Sequence, residues 1–346
     1  MSLPGDDELS RQVFAATLAA RGIELTGWQP LSGDVSPRRY VRVELGAREG
    51  GASAILALYP PEIRPTCSRF QATAALLAEA GVRGPAILGA DCDGGWMLLE
   101  DAGPRTLAER ADLGWEERIP FYQEALRLID RIAQLPAERV AAINPVLGAE
   151  ALFGELRQTW DLFLVPEGLT GPPDELAEPL WQLLSQICAT LAAEPPVPCH
   201  RDFMARNLMP LEESGRAALV VLDHQDLRLG PPAYDLASLL NDTLFPPPDL
   251  EERLLAQAGW SAPERLLGYR RPAAQRSLKA VGTYISFANR GARRHLPLVG
   301  PTLRRALQHL SFLPEAQPLL PRLSALWEEH LQALPAAGGA TAPAIC

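Results

Sequence analysis

The chain has 346 residues, which is long for one hydrophobic core and a natural length for two lobes. Hydrophobic residues make up 47%, the formal net charge is −10 and the isoelectric point is near 5.1, a composition that excludes the basic surface typical of nucleic-acid binding. No apolar run approaches the roughly 18 residues of a candidate membrane-spanning helix.

The N-terminus lacks a basic segment followed by an apolar core, so we expect no signal peptide. The cysteines show no C-x-x-C pairing, and reduced thiols are the expected state of all five: Cys67, Cys92, Cys188, Cys199 and Cys346. These features predict a cytoplasmic protein without a membrane anchor. Of the 32 Lys and Arg residues only Lys279 is a lysine, a bias that we interpret as genome composition and not as chemistry. The sequence does not indicate an oligomeric state.

The chain up to Glu100 predicts one leading helix and then β-strands. Apolar residues at helical spacing predict the helix from Asp6 to Ala20, and Gly22 stops it. Five strands are predicted at Leu25–Pro30, Arg39–Leu45, Ser53–Leu58, Ala86–Gly89 and Trp96–Glu100. A second helix, Thr66–Ala80, is inserted between the third strand and the fourth.

After Gly103 the pattern becomes helical almost to the end of the chain. Helices are predicted at Ile119–Leu135, Ala149–Val165, Glu175–Leu191, Tyr234–Leu240 and Pro318–Leu334, and from Asp249, Pro263 and Pro301. The tail, residues 335–346, is rich in small residues and proline, and we expect it to be disordered.

One stretch of the helical half, Cys199–Asp235, carries the residues for phosphoryl transfer from ATP. Its first part reads H-R-D-x-x-x-x-N, with the residues His200, Arg201, Asp202 and Asn207. Its second part is a short apolar strand, Ala218 to Leu222, which ends in Asp223. Either part alone occurs by chance in many chains, but both in this order, 21 residues from Asp202 to Asp223, form a specific signal.

The residue types in this stretch match what the reaction requires. Asp202 can hold an acceptor hydroxyl and take its proton, while Asn207 and Asp223 are hard oxygen ligands for Mg²⁺ on the triphosphate. Asp235 is expected to bond the backbone of the catalytic loop or Arg201 and so to fix Asp202. Asp226 is expected either to support the metal ligand from behind or to lie in a solvated loop.

The connection after Asp223 indicates which kind of kinase this is. Only His224 to Gly230 precede two prolines and the next helix, so there is no room for a long activation loop. The chain is therefore predicted to be a small-molecule kinase.

The sequence resembles the aminoglycoside phosphotransferase and choline kinase superfamily, and within it most resembles bacterial cell-wall kinases that phosphorylate the anomeric hydroxyl of N-acetylmuramate and N-acetylglucosamine. The likeness extends from about residue 30 to 315, and the segments that carry it are GDVSPRRYVRV (33–43), YPPE (59–62), LLEDAG (98–103), HRDFMARNLM (200–209), LDHQDLRLGPPAYDLASLL (222–240) and, more loosely, QRSLKAVGTYISFANR (275–290).

This resemblance implies an α+β, two-lobed, protein-kinase-like fold that uses ATP and Mg²⁺ on a small-molecule sugar. Residues 1–101 would form a small antiparallel-sheet lobe ending in a hinge, and residues 102–334 a larger, mainly helical lobe with the acceptor site. Main-chain groups around Leu99 and Glu100 would pair with the adenine edge. An aminoglycoside, choline or another small alcohol is the alternative acceptor.

Two features of the first lobe concern the phosphates. The glycine-rich motif of many kinases is absent, and the resemblance instead assigns Arg38 or Arg39 to the phosphates of ATP. The third strand lacks the usual lysine, and Phe70-Gln71 stand where its glutamate partner is expected. We expect Arg39 to supply the missing positive charge; a nucleotide-binding pseudokinase is the competing explanation.

Two further groups leave their roles open. Trp160, Phe163 and Trp181 are expected to pack in the core, with a sugar platform as the alternative. Arg290, Arg293, Arg294 and His295 form a basic cluster that is either a solvated helix end or a contact for an anionic sugar substituent.

Overall fold

The structure is a computed structural model that describes residues 8–20, 22–31, 37–46, 53–171, 175–213 and 215–333. Its first lobe is a five-stranded antiparallel sheet in the order β1-β2-β3-β5-β4, with helix α1 (Glu8–Ala19) before it and α2 (Pro65–Glu79) inserted after the third strand. The strands are β1 (Leu25–Leu31), β2 (Arg39–Leu45), β3 (Ser53–Leu58), β4 (Ile87–Asp91) and β5 (Trp96–Glu100).

Side chains that alternate along these strands bury both faces of the sheet. Val41, Val43 and Leu56 pack on one face with Leu18 of α1. On the other face Ala57 and Leu99 pack with α2, and this face looks toward the second lobe. The five predicted strands are confirmed, and β2, β3 and β5 have the predicted bounds.

The second lobe is built around one long helix, α9 (Pro263–Asn289), which packs against helices on several sides. The other helices are α3 (Trp115–Ala133), α4 (Ala137–Ala141), α5 (Ala149–Thr159), α6 (Ala177–Ala193), α7 (Tyr234–Asn241), α8 (Pro248–Gln257), α10 (Val299–Ser311) and α11 (Leu320–Ala333). The predicted helix from Ala149 to Val165 is divided, because a π-helical turn, Trp160–Leu164, follows α5. None of the helices in the described ranges is long and apolar enough to cross a bilayer.

Two small antiparallel ribbons lie between the helices of this lobe. One pairs β6 (Val197–Cys199) with β9 (Arg228–Gly230), and the other pairs β7 (Leu208–Glu213) with β8 (Arg216–Val221). The sequence predicted β8 and missed the other three strands, two of which are only three residues long. The predicted disordered tail and residues 32–36 of the loop before Arg38 lie outside the described residues.

The expectation that all cysteines are reduced is wrong for one pair. Cys67, in α2, and Cys92, in the turn between β4 and β5, form a disulfide. The two are 25 residues apart, and only the packing of α2 beside this turn brings them together, so no local spacing indicated the pair. Cys188 and Cys199 are buried free thiols.

Candidate active site

The catalytic loop follows β6 with an unusual backbone conformation at Arg201, whose φ is +78°. Such a conformation costs energy for a residue with a side chain and persists only where neighbours hold it. Asp235, in the first turn of α7, provides this support, because its carboxylate accepts the backbone N–H of His200 at 2.6 Å and that of Arg201 at 2.9 Å. The expected hydrogen bonds from Asp235 to the loop backbone are therefore present.

The ribbon of β7 and β8 brings Asn207 and Asp223 together. Asn207 immediately precedes β7, Asp223 lies two residues beyond β8, and the N–H of Leu222 donates to the Asn207 carbonyl at 2.8 Å. Asp223 has a left-handed backbone, with φ +57°. The Nε2 atom of His200 lies 2.8 Å from the Leu222 carbonyl oxygen and so ties the catalytic loop to the end of this ribbon.

The side chain of Asn207 is oriented by Asp202. Its Nδ2 donates to the Asp202 backbone carbonyl at 2.8 Å, which leaves Oδ1 of the amide as an oxygen ligand. Asp223 offers the second hard oxygen. Two protein ligands suit Mg²⁺, which is normally completed by phosphate and water, so the donor chemistry of this pair fits the ion. Within the described residues no group of three or more His, Cys, Asp or Glu forms a separate metal cluster.

The charge of Asp202 acts to raise the pKa of Asp223. Burial acts in the same direction, but Arg38 and a hydrogen bond from Gln225 outweigh both and lower this pKa. The side chains of Asp202 and Asp223 are 27% and 39% exposed, so both remain reachable. Hydrogen bonds from Asn207 to the Asp202 carbonyl and from Leu222 to the Asn207 carbonyl bring Asp202, Asn207 and Asp223 into one neighbourhood, where Arg38 of the first lobe contacts Asp223.

The cation beside Asp223 is Arg38. Its NH2 lies 2.5 Å from Asp223 Oδ1, and its NH1 donates to Gln225 Oε1 at 3.1 Å. Because side chains alternate along a strand, Arg39 is directed to the opposite face of the sheet, the side of Val41. Of the two arginines predicted for the phosphates, Arg38 is therefore the one that contacts Asp223.

Helix α2 contacts the segment after Asp223 by packing and not by an ion pair. The ring of Phe70 lies 4.1 Å from the ring of His224, and Thr73 Oγ1 lies 2.8 Å from His224 Nδ1. Burial lowers the pKa of His224 to about 3, so this imidazole is neutral at pH 7. An aromatic contact therefore occupies the place where the sequence lacks the usual glutamate.

Asp202 also belongs to a charged network that sequence reasoning missed. Its Oδ1 lies 3.2 Å from Arg276 NH2 and 3.4 Å from Lys279 Nζ, both on α9. Glu155 of α5 pairs with Lys279 at 3.0 Å and with Arg201 at 2.7 Å. The hydroxyl of Tyr234 donates to the same carboxylate at 3.1 Å.

The network keeps both of its carboxylates ionised. Burial alone would raise the pKa of Asp202, but Lys279, Arg201 and Arg276 hold it well below its ordinary value. Burial is likewise outweighed at Glu155, whose pKa falls to about 2 because of Lys279 and Arg201.

The hinge differs in detail from the prediction. The N–H of Glu100 donates to the Ala86 carbonyl at 2.8 Å, and its carboxylate binds Arg83 at 2.7 Å, so neither group is available to adenine. Leu99 is buried in the cluster facing α2. Main-chain groups of the next two residues, Asp101 and Ala102, make no backbone hydrogen bonds within the described part of the chain.

The remaining predicted residues have clear positions. Asp226 binds Arg201 at 3.3 Å and Arg228 at 3.2 Å, which places it behind the catalytic loop. Trp181 makes edge contacts with Trp160 at 4.8 Å and with Phe153, and Phe163 is buried in the same lobe, as expected for core packing. Of the basic cluster, Arg290 and Arg293 are exposed and His295 is buried beside the ring of Tyr284.

The chain has a small antiparallel sheet, which a short segment connects to a helical lobe. An HRD loop and a following aspartate lie where the two lobes meet. Together these features define a kinase-like phosphotransferase. The model of the phosphotransferase enzyme family matches residues 27–274, and the chain belongs to that family.

Curated relatives resemble this chain in sequence, and solved structures resemble it in fold. The chain is 30% identical over 282 residues to an N-acetylmuramate/N-acetylglucosamine kinase of Pseudomonas aeruginosa, covering 77% of this chain and 79% of the relative. A kinase of the same name from Caulobacter vibrioides is 28% identical over 329 residues, covering 85% and 89%. An aminoglycoside 2'-phosphotransferase-IIIa in complex with GDP (TM-score 0.63, 12% identity, 88% and 98% covered) and choline kinase LicA of Streptococcus pneumoniae (0.59, 15%, 88% and 100%) share the fold.

Proposed function

We propose that the protein is an ATP-dependent kinase that phosphorylates an N-acetylated amino sugar, N-acetylmuramate or N-acetylglucosamine, at the anomeric hydroxyl. The observation that carries the proposal is the grouping of Asp202, Asn207 and Asp223 by hydrogen bonds, at a point where Arg38 of the first lobe reaches Asp223 of the second. The relatives that share about 30% of their residues with this chain are named for these two sugars, which supports the choice of acceptor.

Each residue then has a defined part in the transfer. Asp223 and Asn207 Oδ1 would hold Mg²⁺, which neutralises charge on the triphosphate. Asp202 orients the acceptor hydroxyl and takes its proton as the new O–P bond forms and the bond between the γ-phosphorus and the departing ADP oxygen breaks. The products are the sugar 1-phosphate and ADP.

The nucleotide side of the site is assembled from the first lobe. Arg38 replaces the missing lysine as the phosphate cation, and the free main-chain groups of Asp101 and Ala102 receive the adenine edge. Residues 1–101 would serve as the nucleotide lobe and residues 102–334 as the acceptor lobe. We place the reaction in the cytoplasm, where ATP is supplied.

The charges near Asp202 argue against a polycationic acceptor. Glu155 is already neutralised by Arg201 and Lys279, so it offers no surplus negative charge to an aminoglycoside.

The test is ADP release with a panel of N-acetylglucosamine, N-acetylmuramate, glucose and kanamycin, followed by phosphorus NMR of the product. We expect turnover with the N-acetylated sugars and a signal of an anomeric phosphate. Transfer of phosphate to kanamycin, or to a sugar hydroxyl other than the anomeric one, would overturn the acceptor assignment. If no acceptor of the panel caused ADP release, a pseudokinase would be favoured.

A further inference from the structure

The single lysine of the chain lies between two partly buried carboxylates, one of which is Asp202. Lys279 Nζ is 3.4 Å from Asp202 Oδ1 and 3.0 Å from Glu155 Oε1, and its side chain is only 16% exposed. All the other 31 members of the Lys and Arg set are arginines. Since arginine is the default cation of this chain, a buried lysine between two carboxylates indicates a requirement for a compact ammonium.

Arg276 and Lys279 approach Asp202 from the same face of α9, because residues three apart in a helix lie side by side. Arg276 is committed to the backbone as well. Its NH1 donates to the Arg201 carbonyl at 2.5 Å, and its guanidinium lies 4.7 Å from the centre of the Tyr234 ring. Lys279 has no such backbone contact among the described residues, and its other partner is the carboxylate of Glu155.

Both cations contact the same oxygen of Asp202. The hydrogen bonds from Arg276 and Lys279 go to Oδ1, and Oδ2 accepts none from the described residues. With Oδ1 held, the carboxylate cannot rotate freely, and Oδ2 is the oxygen left for an incoming hydroxyl. Orientation of this kind matters because a small misplacement of a reacting group costs about 100-fold in rate.

We propose that Lys279 is a positioning residue for phosphoryl transfer: anchored by Glu155, its ammonium holds Asp202 Oδ1 so that Oδ2 faces the acceptor hydroxyl. The inference rests on the proposed function and adds no bond-making step to it. The hydroxyl proton still passes to Asp202, and the phosphoryl group still passes from ATP to the sugar oxygen.

The experiment compares Lys279→Met, which removes the charge at similar length, with Lys279→Arg, which keeps it. We expect Lys279→Met to lower kcat about 100-fold while the KM for ATP and the Kd for ADP change less than about threefold, because the nucleotide side is untouched. Lys279→Arg should recover at least about tenfold of that loss, since a guanidinium supplies the charge with a poorer fit.

Control variants distinguish the effect of the Lys279 charge from a loss of packing and from a failure of the proposed function. Arg253→Gln removes an exposed cation of α8 and should keep the wild-type kcat. If Lys279→Met does not fold, Lys279→Gln takes its place under the same criteria. A kcat within threefold of wild type for the neutral variant, or equal losses in the neutral and arginine variants, would overturn the positioning role. Failure of the wild-type protein to phosphorylate any acceptor would instead overturn the proposed function.

Discussion

The two carboxylates of the cleft are held in different ways. Asp223 is 39% exposed and pairs with one guanidinium, Arg38, which comes from the other lobe 185 residues away. Asp202 is held by Arg276 and Lys279 of its own lobe, and Glu155 fixes the second of these. The Asp223 pair therefore joins two lobes, and we expect it to exchange partners when a nucleotide binds, whereas we expect the Asp202 network, which lies within the helical lobe, to be permanent.

The largest effect should come from Asp202→Asn. We expect kcat to fall about 1000-fold, because the base is lost, while the Kd for ADP stays within about twofold, since the Arg38–Asp223 pair is intact. Coupled assays with N-acetylglucosamine give kcat, and calorimetry gives the ADP affinity. The matched variant Asp226→Asn, behind the loop, should lose less than about tenfold. Retained turnover in Asp202→Asn would contradict the base assignment.

Glu155→Gln tests whether the network around Asp202 stabilises the fold, through the free energy of unfolding. Removing the charge of Glu155 leaves Arg201 with only the carboxylate of Asp226 and Lys279 with only that of Asp202, so the free energy of unfolding at pH 7 should fall by about 3 kcal/mol. Urea denaturation measures it. Arg253→Gln, at an exposed pair, should change it by less than about 1 kcal/mol. Equal losses in the two variants would contradict the network.

The same variant has a predicted pH dependence. The pKa of Glu155 is about 2 in the folded protein against an ordinary value of 4.5, because Lys279 and Arg201 outweigh its burial, so the folded carboxyl binds protons less readily than the unfolded one. Its contribution to stability is therefore complete above pH 4.5 and is lost as the pH falls toward 2. Over that range the unfolding free energy of the wild type should decline more steeply than that of Glu155→Gln.

Arg38→Gln weakens the exchangeable pair. We expect kcat/KM for ATP to fall about 100-fold, because the variant lacks the cation assigned to the phosphates, with little change in the KM for the sugar. Arg39→Gln, at the adjacent residue on the other face of the sheet, should stay within about threefold. A larger loss of kcat/KM for ATP in Arg39→Gln than in Arg38→Gln would instead support Arg39, the residue predicted from the sequence.

The motif residues of the candidate site could be predicted from the sequence, and the charged network around Asp202 could not. His200, Asp202 and Asn207 are close along the chain, and Asp223 follows an apolar strand, so local pattern and spacing indicated them. Glu155 reaches Arg201 across 46 residues and Lys279 reaches Asp202 across 77, both from helices. From the sequence alone, a charged residue on an amphipathic helix cannot be told from one exposed to solvent. Only tertiary packing shows which face of the helix is buried.

Two features could not be decided from the sequence alone. Both faces of β2 are buried, so alternation could not decide which of Arg38 and Arg39 turns toward the cleft. The lone lysine was read as a feature of composition, although its exceptional status was the one available sign of a site at Lys279. The overall composition of a chain does not show whether a single residue of a rare type has a role of its own.

The smallest effect concerns the contact that brings Glu155 and Lys279 together. At Gly282, a Cβ atom would lie 2.7 Å from the backbone N and Cα of Thr159, whose hydroxyl donates to the Leu278 carbonyl at 2.7 Å. Gly282→Ala must therefore move α5 away from α9 and lengthen the contact between Glu155 and Lys279. We expect a loss of about 2 kcal/mol in stability and about tenfold in kcat, measured by urea denaturation and the coupled assay.

The matched control is Gly154→Ala on α5 itself. No neighbouring atom lies within 4 Å of a Cβ at Gly154, so this change adds a better helix former without a clash and should raise stability by about 0.5–1 kcal/mol at unchanged kcat. If both alanine variants behaved alike, close approach of the two helices would not be what holds Lys279 against Asp202. If only Gly282→Ala lost turnover, the network around Asp202 would depend on the distance between α5 and α9. The pair of Arg38 and Asp223 lies outside these helices and should not depend on that distance.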